Sequence, residues 1–492
     1  MGRETLALIF TPIFGFFMLV LGNGFLTTLV PLRLSAAGYS LHTIGYVSAA
    51  YYVGLCLGAL INERLLMRAG YIRAYACFCA VVAVTALAQA FSLDLISWLV
   101  LRLLCGWATA GAFLVIESWL LTMGDSKSRG RILAFYMISF YGAMTLGQLL
   151  TGPLNTPLDS ASMSFPFLFV GIVSALSLVP VTMIPRAAPM IAQEQPLPPW
   201  QLAKITPTGV GGALCAGIMM GAIYSVLPLY LSHVLGANGG NLLGVLMAIV
   251  VVGGMLLQYP IGTWSDRTDR QWVLLWLSLA LIGCSLILPL LALNTWTLGV
   301  GLFLFGGGAF ALYPVTISHA GDRAPEGAMV GMAQGMLFVN SLGSVVAAPI
   351  MSPLMEHLGD NGFFIGSGVI FALMTLFFGW RRTLRAAPEP SAPFPAMPTT
   401  SRVASRWAGT DEYWNETQQA HDERDAHEED KERERAESWA WDTEQQMAQS
   451  GTPEQELRLA HPEGPERMRY QHDEWRDDNA GTDEGQEGAG KQ

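Results

Sequence analysis

An all-α integral membrane protein, with twelve transmembrane helices arranged as two six-helix parallel repeats and followed by a charged tail, is the fold class this sequence predicts. Three observations carry the expectation. Apolar runs of membrane-spanning length recur along the first 385 residues, basic residues fall on one side of the resulting topology, and short peptides repeat at one offset.

Of the 492 residues, 52% are hydrophobic and 14% charged, whereas a soluble domain normally carries about a quarter charged. The charge is unevenly spread. Residues 386–492 hold 26 Asp/Glu and 11 Lys/Arg, a net of −15, and only four Leu, Ile, Val or Phe. Residues 1–385 hold 13 acids and 17 bases, a net of +4. The acidic pI therefore belongs to the tail and points to no nucleic-acid partner.

A helix of about 20 apolar residues crosses a bilayer core of roughly 30 Å. Twelve candidate spans meet this length: 6–30, 42–62, 73–93, 95–120, 132–154, 165–184, 209–232, 242–264, 273–293, 297–319, 329–352 and 362–382. The third and fourth are separated only by a break at Asp94. The first is too long for a signal-peptide core and is read as a retained helix. All six cysteines lie within the apolar runs, where they read as small buried hydrophobes, not as a disulfide framework or zinc site.

Basic residues set orientation. With the N-terminus inside, Arg3, Arg64, Arg68, Arg73, Lys127, Arg129, Arg131, Arg186, Lys204, Arg267, Arg270, Arg323, Arg381, Arg382 and Arg385 all fall on the cytoplasmic side. Only Arg33 falls outside. Both termini are therefore expected in the cytoplasm, in a multi-pass membrane protein.

The longest internal connection, 185–208, is rich in prolines that disfavour a regular helix. It divides the chain into a bundle at 1–184, this loop, a bundle at 209–385 and the acidic tail at 386–492. Duplication is legible in the sequence. Pro31-Leu32-Arg33-Leu34-Ser35 answers Pro228-Leu229-Tyr230-Leu231-Ser232, and Gly111-Ala112-Phe113 answers Gly308-Ala309-Phe310, both at an offset of 197. Leu146-Gly147 before Pro153 answers Leu342-Gly343 before Pro349 at an offset of 196. Six helices is an even number, so the repeats are parallel.

Charges interrupt the apolar pattern at corresponding places. Between spans 2 and 3 stand Gly58, Glu63, Arg64, Arg68, Gly70 and Arg73; between spans 8 and 9 stand Gly262, Asp266, Arg267 and Arg270. A glycine permits close helix approach, and a carboxylate at a helix end can face a neighbouring N-terminus and pair with arginine. Such clusters suit a latch between the halves on the cytoplasmic side; topology anchoring by the same basics is the alternative. With these residues in place the chain resembles the major facilitator superfamily, whose signature is a glycine, an acid and several basics in the 2–3 loop with a looser copy in the 8–9 loop. The first copy departs from the pattern: the aspartate position is held by Asn62 or Glu63.

Two further features are similar to that family. Arg102 is followed four residues on by Gly106 in the fourth span, about seven residues inside the helix. An arginine at the bilayer centre costs about 2.5–3.5 kcal/mol on insertion scales, so it is expected to face a cavity or partner. The glycines of the fifth span, from Gly142 through Gly147 and Gly152 to Pro153, resemble an antiporter-associated motif but lack its mid-helix Gly-Pro pair. The resemblance covers residues 1–385 and implies a secondary transporter working by alternating access.

Glu117 is the only acid well inside a span. At fifteen residues beyond Arg102 it lies about 22 Å along the same helix. Three roles stay open for it: a gate ion pair with Arg129 or Arg131, a proton carrier, and a solvated helix-end acid. His319 closes the tenth span and reads as an interfacial residue. Proton-coupled relatives often place a carboxylate in the first span, where this chain has Asn23, Thr27 and Thr28.

The neutral candidates for a central cavity are Asn23, Tyr51, Tyr52, Tyr136, Tyr141, Gln148, Tyr224, Gln258, Tyr313, Gln334 and Asn340, on spans that line the cavity in the family. With Arg102, this set suits a neutral or amphipathic organic solute, or an anion. There is no GxxxxGK[ST] loop, no HExxH and no defensible nucleophile–base set. The expectation is a carrier and not an enzyme, with no cofactor and no metal, acting as a monomer in the bilayer on a small-molecule substrate with a coupling proton or ion. The tail's five tryptophans are candidate docking points for a protein partner. A transporter-like sensor signalling through that tail is the alternative function.

Overall fold

The computed structural model describes residues 3–91, 94–122, 129–154, 164–182, 199–236, 239–291, 294–323 and 329–384. These form helices and no strand. The first half contains α1 (Arg3–Ala36), α2 (Leu41–Ala69), α3 (Tyr71–Gln89), α4 (Leu95–Thr122), α5 (Arg129–Leu154), α6 (Phe165–Leu176) and α7 (Leu178–Thr182). After α8 (Pro199–Ile205), the second half contains α9 (Pro207–Ser225), α10 (Leu227–Leu235), α11 (Gly240–Arg267), α12 (Arg270–Leu291), α13 (Thr295–Gly321), α14 (Met329–Leu358) and α15 (Gly362–Leu384).

Among the described residues, every expected span is represented by helix. Eleven stretches among the described residues are long and apolar enough to cross a membrane, and the 26-residue α5 takes the remaining place. The break at Asp94 holds because its carboxylate accepts from the Ser97 amide at 3.0 Å and so starts α4. Two spans are interrupted. The sixth breaks at Ser177, between α6 and α7, and the seventh at Val226, between α9 and α10. Pro180 and Pro228, which lack an N–H for the carbonyl four residues back, follow closely. The connection 185–208 ends differently from expectation: 199–205 is helical, with Pro199 first, where the missing N–H has no partner to lose. The rest of that connection and the tail at 386–492 lie outside the described residues.

Within the first half α2 packs on α4 and α1 on α5; within the second, α11 packs on α13 and α9 on α14. The repeat is visible at atomic level. A Cβ on Gly106 would stand 2.0 Å from the Tyr51 carbonyl oxygen, and one on Gly306 2.3 Å from that of Val250. Only glycine permits these backbone contacts, and they occur at matching crossings, α2–α4 and α11–α13. The halves meet along α2 against α14 and α5 against α11.

Candidate functional site

The basic clusters mark one end of the bundle, here the basic end. The central residues fall where the halves meet. From the second half, the Gln258 amide on α11 donates to the Tyr141 hydroxyl on α5 at 3.0 Å and to the Phe310 carbonyl on α13 at 3.2 Å. Phe310 packs against both Tyr141 and Tyr224, with ring centroids 6.2 and 6.1 Å apart. Tyr224 stands within electrostatic range of the hydroxyls of Tyr141, Tyr52 and Tyr51. Four tyrosines from α2, α5 and α9 thus surround the seam.

Behind them, in the first half, lies Arg102. Its guanidinium carbon sits 4.3 Å from the centre of the Tyr51 ring, and the Tyr51 hydroxyl donates to Asn23 Oδ1 at 3.1 Å. Arg102 is only 3% exposed. Its Nε and Nη1 have no hydrogen-bond partner, and among the described residues no carboxylate lies within ion-pair distance of it.

A small cavity of about 30 Å³ opens on the basic side of Tyr52. Tyr52, Gly58 and Phe113 line it from the first half, and Asn340, Ser341 and Ser344 of α14 from the second.

Two of the expected cavity residues, Gln148 and Tyr136, bond to neighbouring helices, and a third, Tyr313, is buried without such a bond. Gln148 is wholly buried, accepting from the Thr28 hydroxyl at 2.6 Å and donating to the Gly24 carbonyl at 2.9 Å, so both ends of its amide brace α5 to α1. The Tyr136 hydroxyl donates to Glu117 in a short hydrogen bond between α5 and α4. Phe16 stacks on Tyr136 at 4.9 Å and meets Phe113 edge-on at 5.2 Å. Tyr313 is fully buried and its hydroxyl has no hydrogen-bond partner.

At the basic end the two clusters differ. Arg270, 2% exposed, bonds Asp266 at 3.2 Å and Asp322 at 2.9 Å, and Arg382 on α15 pairs with Asp269. Arg382 also lies over the Trp272 ring at 4.0 Å. This network ties α11, α12, the end of α13 and α15 together, all within the second half. Arg267 is exposed and Gly262 buried. In the first half Asn62 is the buried residue at the aspartate position, and its Nδ2 donates to the Trp107 carbonyl on α4 at 2.9 Å. Glu63 is half-buried, and Arg64, Arg68 and Arg73 are exposed. The side chains of Arg129 and Arg131 lie outside the described residues.

At the opposite end His42 of α2 pairs with Glu356 of α14 at 3.1 Å, and His233 of α10 pairs with Asp360 at 2.7 Å. Among the described residues, the first is the one such histidine–carboxylate contact that joins the halves. Beside it, a Cβ on Gly45 would meet the Ser352 hydroxyl at 2.8 Å, and across the seam a Cβ on Gly244 would meet the Gln148 carbonyl oxygen at 2.7 Å. Sequence reasoning passed over His42, Glu356 and Asp322. Asp322 had a signal: Gly321-Asp322 repeats Gly124-Asp125 at the same offset of 197.

The profile of the Major Facilitator Superfamily matches residues 13–340. An uncharacterised MFS-type transporter of Yersinia pestis (strain Pestoides F) is 32% identical over 368 residues, covering 74% of this chain and 93% of that protein. Another from Enterobacter sp. (strain 638) is 31% identical over 366 residues, with the same coverage. Among solved structures, the nucleoside transporter NupG is similar with a TM-score of 0.62 and 14% identity, covering 78% of this chain and 99% of that one. A D-xylose–proton symporter reaches 0.58 with 14% identity, covering 79% and 98%.

Proposed function

Since this chain belongs to the Major Facilitator Superfamily, we propose that it is a secondary active transporter moving a small organic solute across the bacterial inner membrane by alternating access. The solute site lies at the seam, bordered by Asn23, Tyr51, Tyr52, Arg102, Tyr141, Tyr224, Gln258 and Asn340. The clusters around Gly58, Glu63, Arg68 and Arg73 and around Gly262, Asp266, Arg267 and Arg270 guard the cytoplasmic entrance, and a proton or ion gradient drives the cycle.

The observation that carries this reading is the bond from Gln258 to Tyr141. It is a polar contact between the two bundles, with the Phe310 and Tyr224 rings beside it. The aromatic and amide lining around it resembles a small-molecule site, largely apolar with a few placed polar groups. With close contacts gathered at the His42–Glu356 end and a cavity on the basic side of Tyr52, the seam corresponds to a state sealed at one end.

Reporter cysteines test it. In a background lacking the six native cysteines, Ser48→Cys and Ser344→Cys are labelled with a membrane-impermeant maleimide from either side of oriented vesicles. Alternating access predicts that Ser344→Cys reacts from the basic side and Ser48→Cys from the other, and that conditions raising one rate lower the other. Rates that never trade would remove the transport cycle.

A further inference from the structure

The geometry points to a solute that carries one negative charge, a monocarboxylate, received by Arg102. This inference rests on the transporter reading and names the substrate class of the same seam. A buried cation is expensive unless paired and hydrogen-bonded. Arg270, with the same degree of burial, meets that demand through two aspartates. Arg102 has the Tyr51 ring face instead: Nε and Nη1 lack acceptors, and no carboxylate of the described chain reaches it. An aromatic face attracts the charge but accepts no in-plane N–H. The unused donors lie in the guanidinium plane, where a carboxylate binds.

Escape to water or lipid headgroups does not satisfy Arg102 either, because only 3% of the residue is exposed. The acid on its own helix, Glu117, is engaged with Tyr136 about 22 Å away.

Charge counting narrows the class. The polar residues that the second half places around the seam are Tyr224, Gln258, Asn340, Ser341 and Ser344, which add no cation. One guanidinium matches one carboxylate; a dicarboxylate or a phosphate dianion would bring a charge left without a partner. The Tyr51, Tyr52 and Tyr224 rings and Phe113 suit an apolar body attached to that carboxylate.

The test uses the full-length protein in lipid nanodiscs and reads thermal unfolding and binding. Acetate, lactate, benzoate and indole-3-acetate are each compared with the corresponding amide, and succinate and inorganic phosphate serve as dianion arms. At least one monocarboxylate raises Tm, its amide does not, and Arg102→Gln weakens that carboxylate by about tenfold to 150-fold, the range for a charged hydrogen-bonded partner. Arg102→Lys retains part of the preference, which guards against a folding defect in the glutamine variant; Tm of each unliganded variant is recorded. The inference is overturned if no monocarboxylate responds, if amides or dianions respond equally, or if the carboxylate response survives Arg102→Gln. Those outcomes leave the transport reading standing, since that reading fails separately, through reporter cysteines that never trade accessibility.

Discussion

His42 and Glu356 stand 314 positions apart in sequence and 3.1 Å apart in space, joining the first half to the second at the end remote from the basic loops. Each side chain is 41% exposed, so the pair is screened and worth about 0.2–1 kcal/mol. Glu356→Gln is therefore expected to shift the balance between sealed and open forms by about 1.4- to 5-fold. The shift reads as faster labelling of Ser48→Cys from the far side. An unchanged rate would show that helix packing alone seals this end.

The contact between α2 and α4 leaves no room for a methyl group at Gly106. With the new Cβ 2.0 Å from the Tyr51 carbonyl oxygen, Gly106→Ala must push the helices apart, at about 1–3 kcal/mol. It should also weaken solute binding, because Tyr51 and Arg102 sit on the displaced segments. A Cβ on Gly283 of α12 would meet nothing within 4 Å, so Gly283→Ala is expected within about 0.5 kcal/mol of the parent. Thermal unfolding in the same detergent distinguishes the two.

Asp322 and Arg270 form a buried ion pair, with side chains 2% and 1% exposed. Removing one partner of such a pair costs about 3–5 kcal/mol because the other charge stays buried. Asp322→Asn is expected to lie toward the lower end, since Asp266 still reaches Arg270. Arg267→Ala, at an exposed position, is expected to leave Tm nearly unchanged. Equal effects from the two would contradict the burial difference.

Tyr136 holds the carboxyl of Glu117 with its hydroxyl. Tyr136→Phe keeps the ring stacked on Phe16 and deletes only the donor, at an expected cost of about 1–3 kcal/mol. If Glu117 also serves transport, the variant lowers the transport rate beyond its effect on Tm. A rate that follows Tm alone assigns the pair to structure.

Much of this fold was legible because the bilayer imposes it. A spanning helix needs about 20 apolar residues, so all twelve spans could be read from hydropathy, with the weak separation at Asp94 preserved by a helix-capping carboxylate. The duplication was legible because repeated glycines hold equivalent contacts: a Cβ on Gly147 would stand 2.7 Å from the Leu21 carbonyl oxygen, and one on Gly343 2.2 Å from that of Leu214. The site was less so. A buried glutamine looks the same in sequence whether it faces a solute, as Gln258 is proposed to do, or braces two helices, as Gln148 does with Thr28 and Gly24. The choice between Asn62 and Glu63 depended on helix phase at one turn, and the His42–Glu356 contact on the register of α2 against α14. Neither is a local property.

Asn62 gives the basic end of the first half a neutral contact at the position where the second half has an acid. In the first half its amide bonds the Trp107 carbonyl, while in the second Arg270 and Arg382 rivet four helices through three aspartates. On warming, that ion network is expected to hold the basic end of the second half together as one unit.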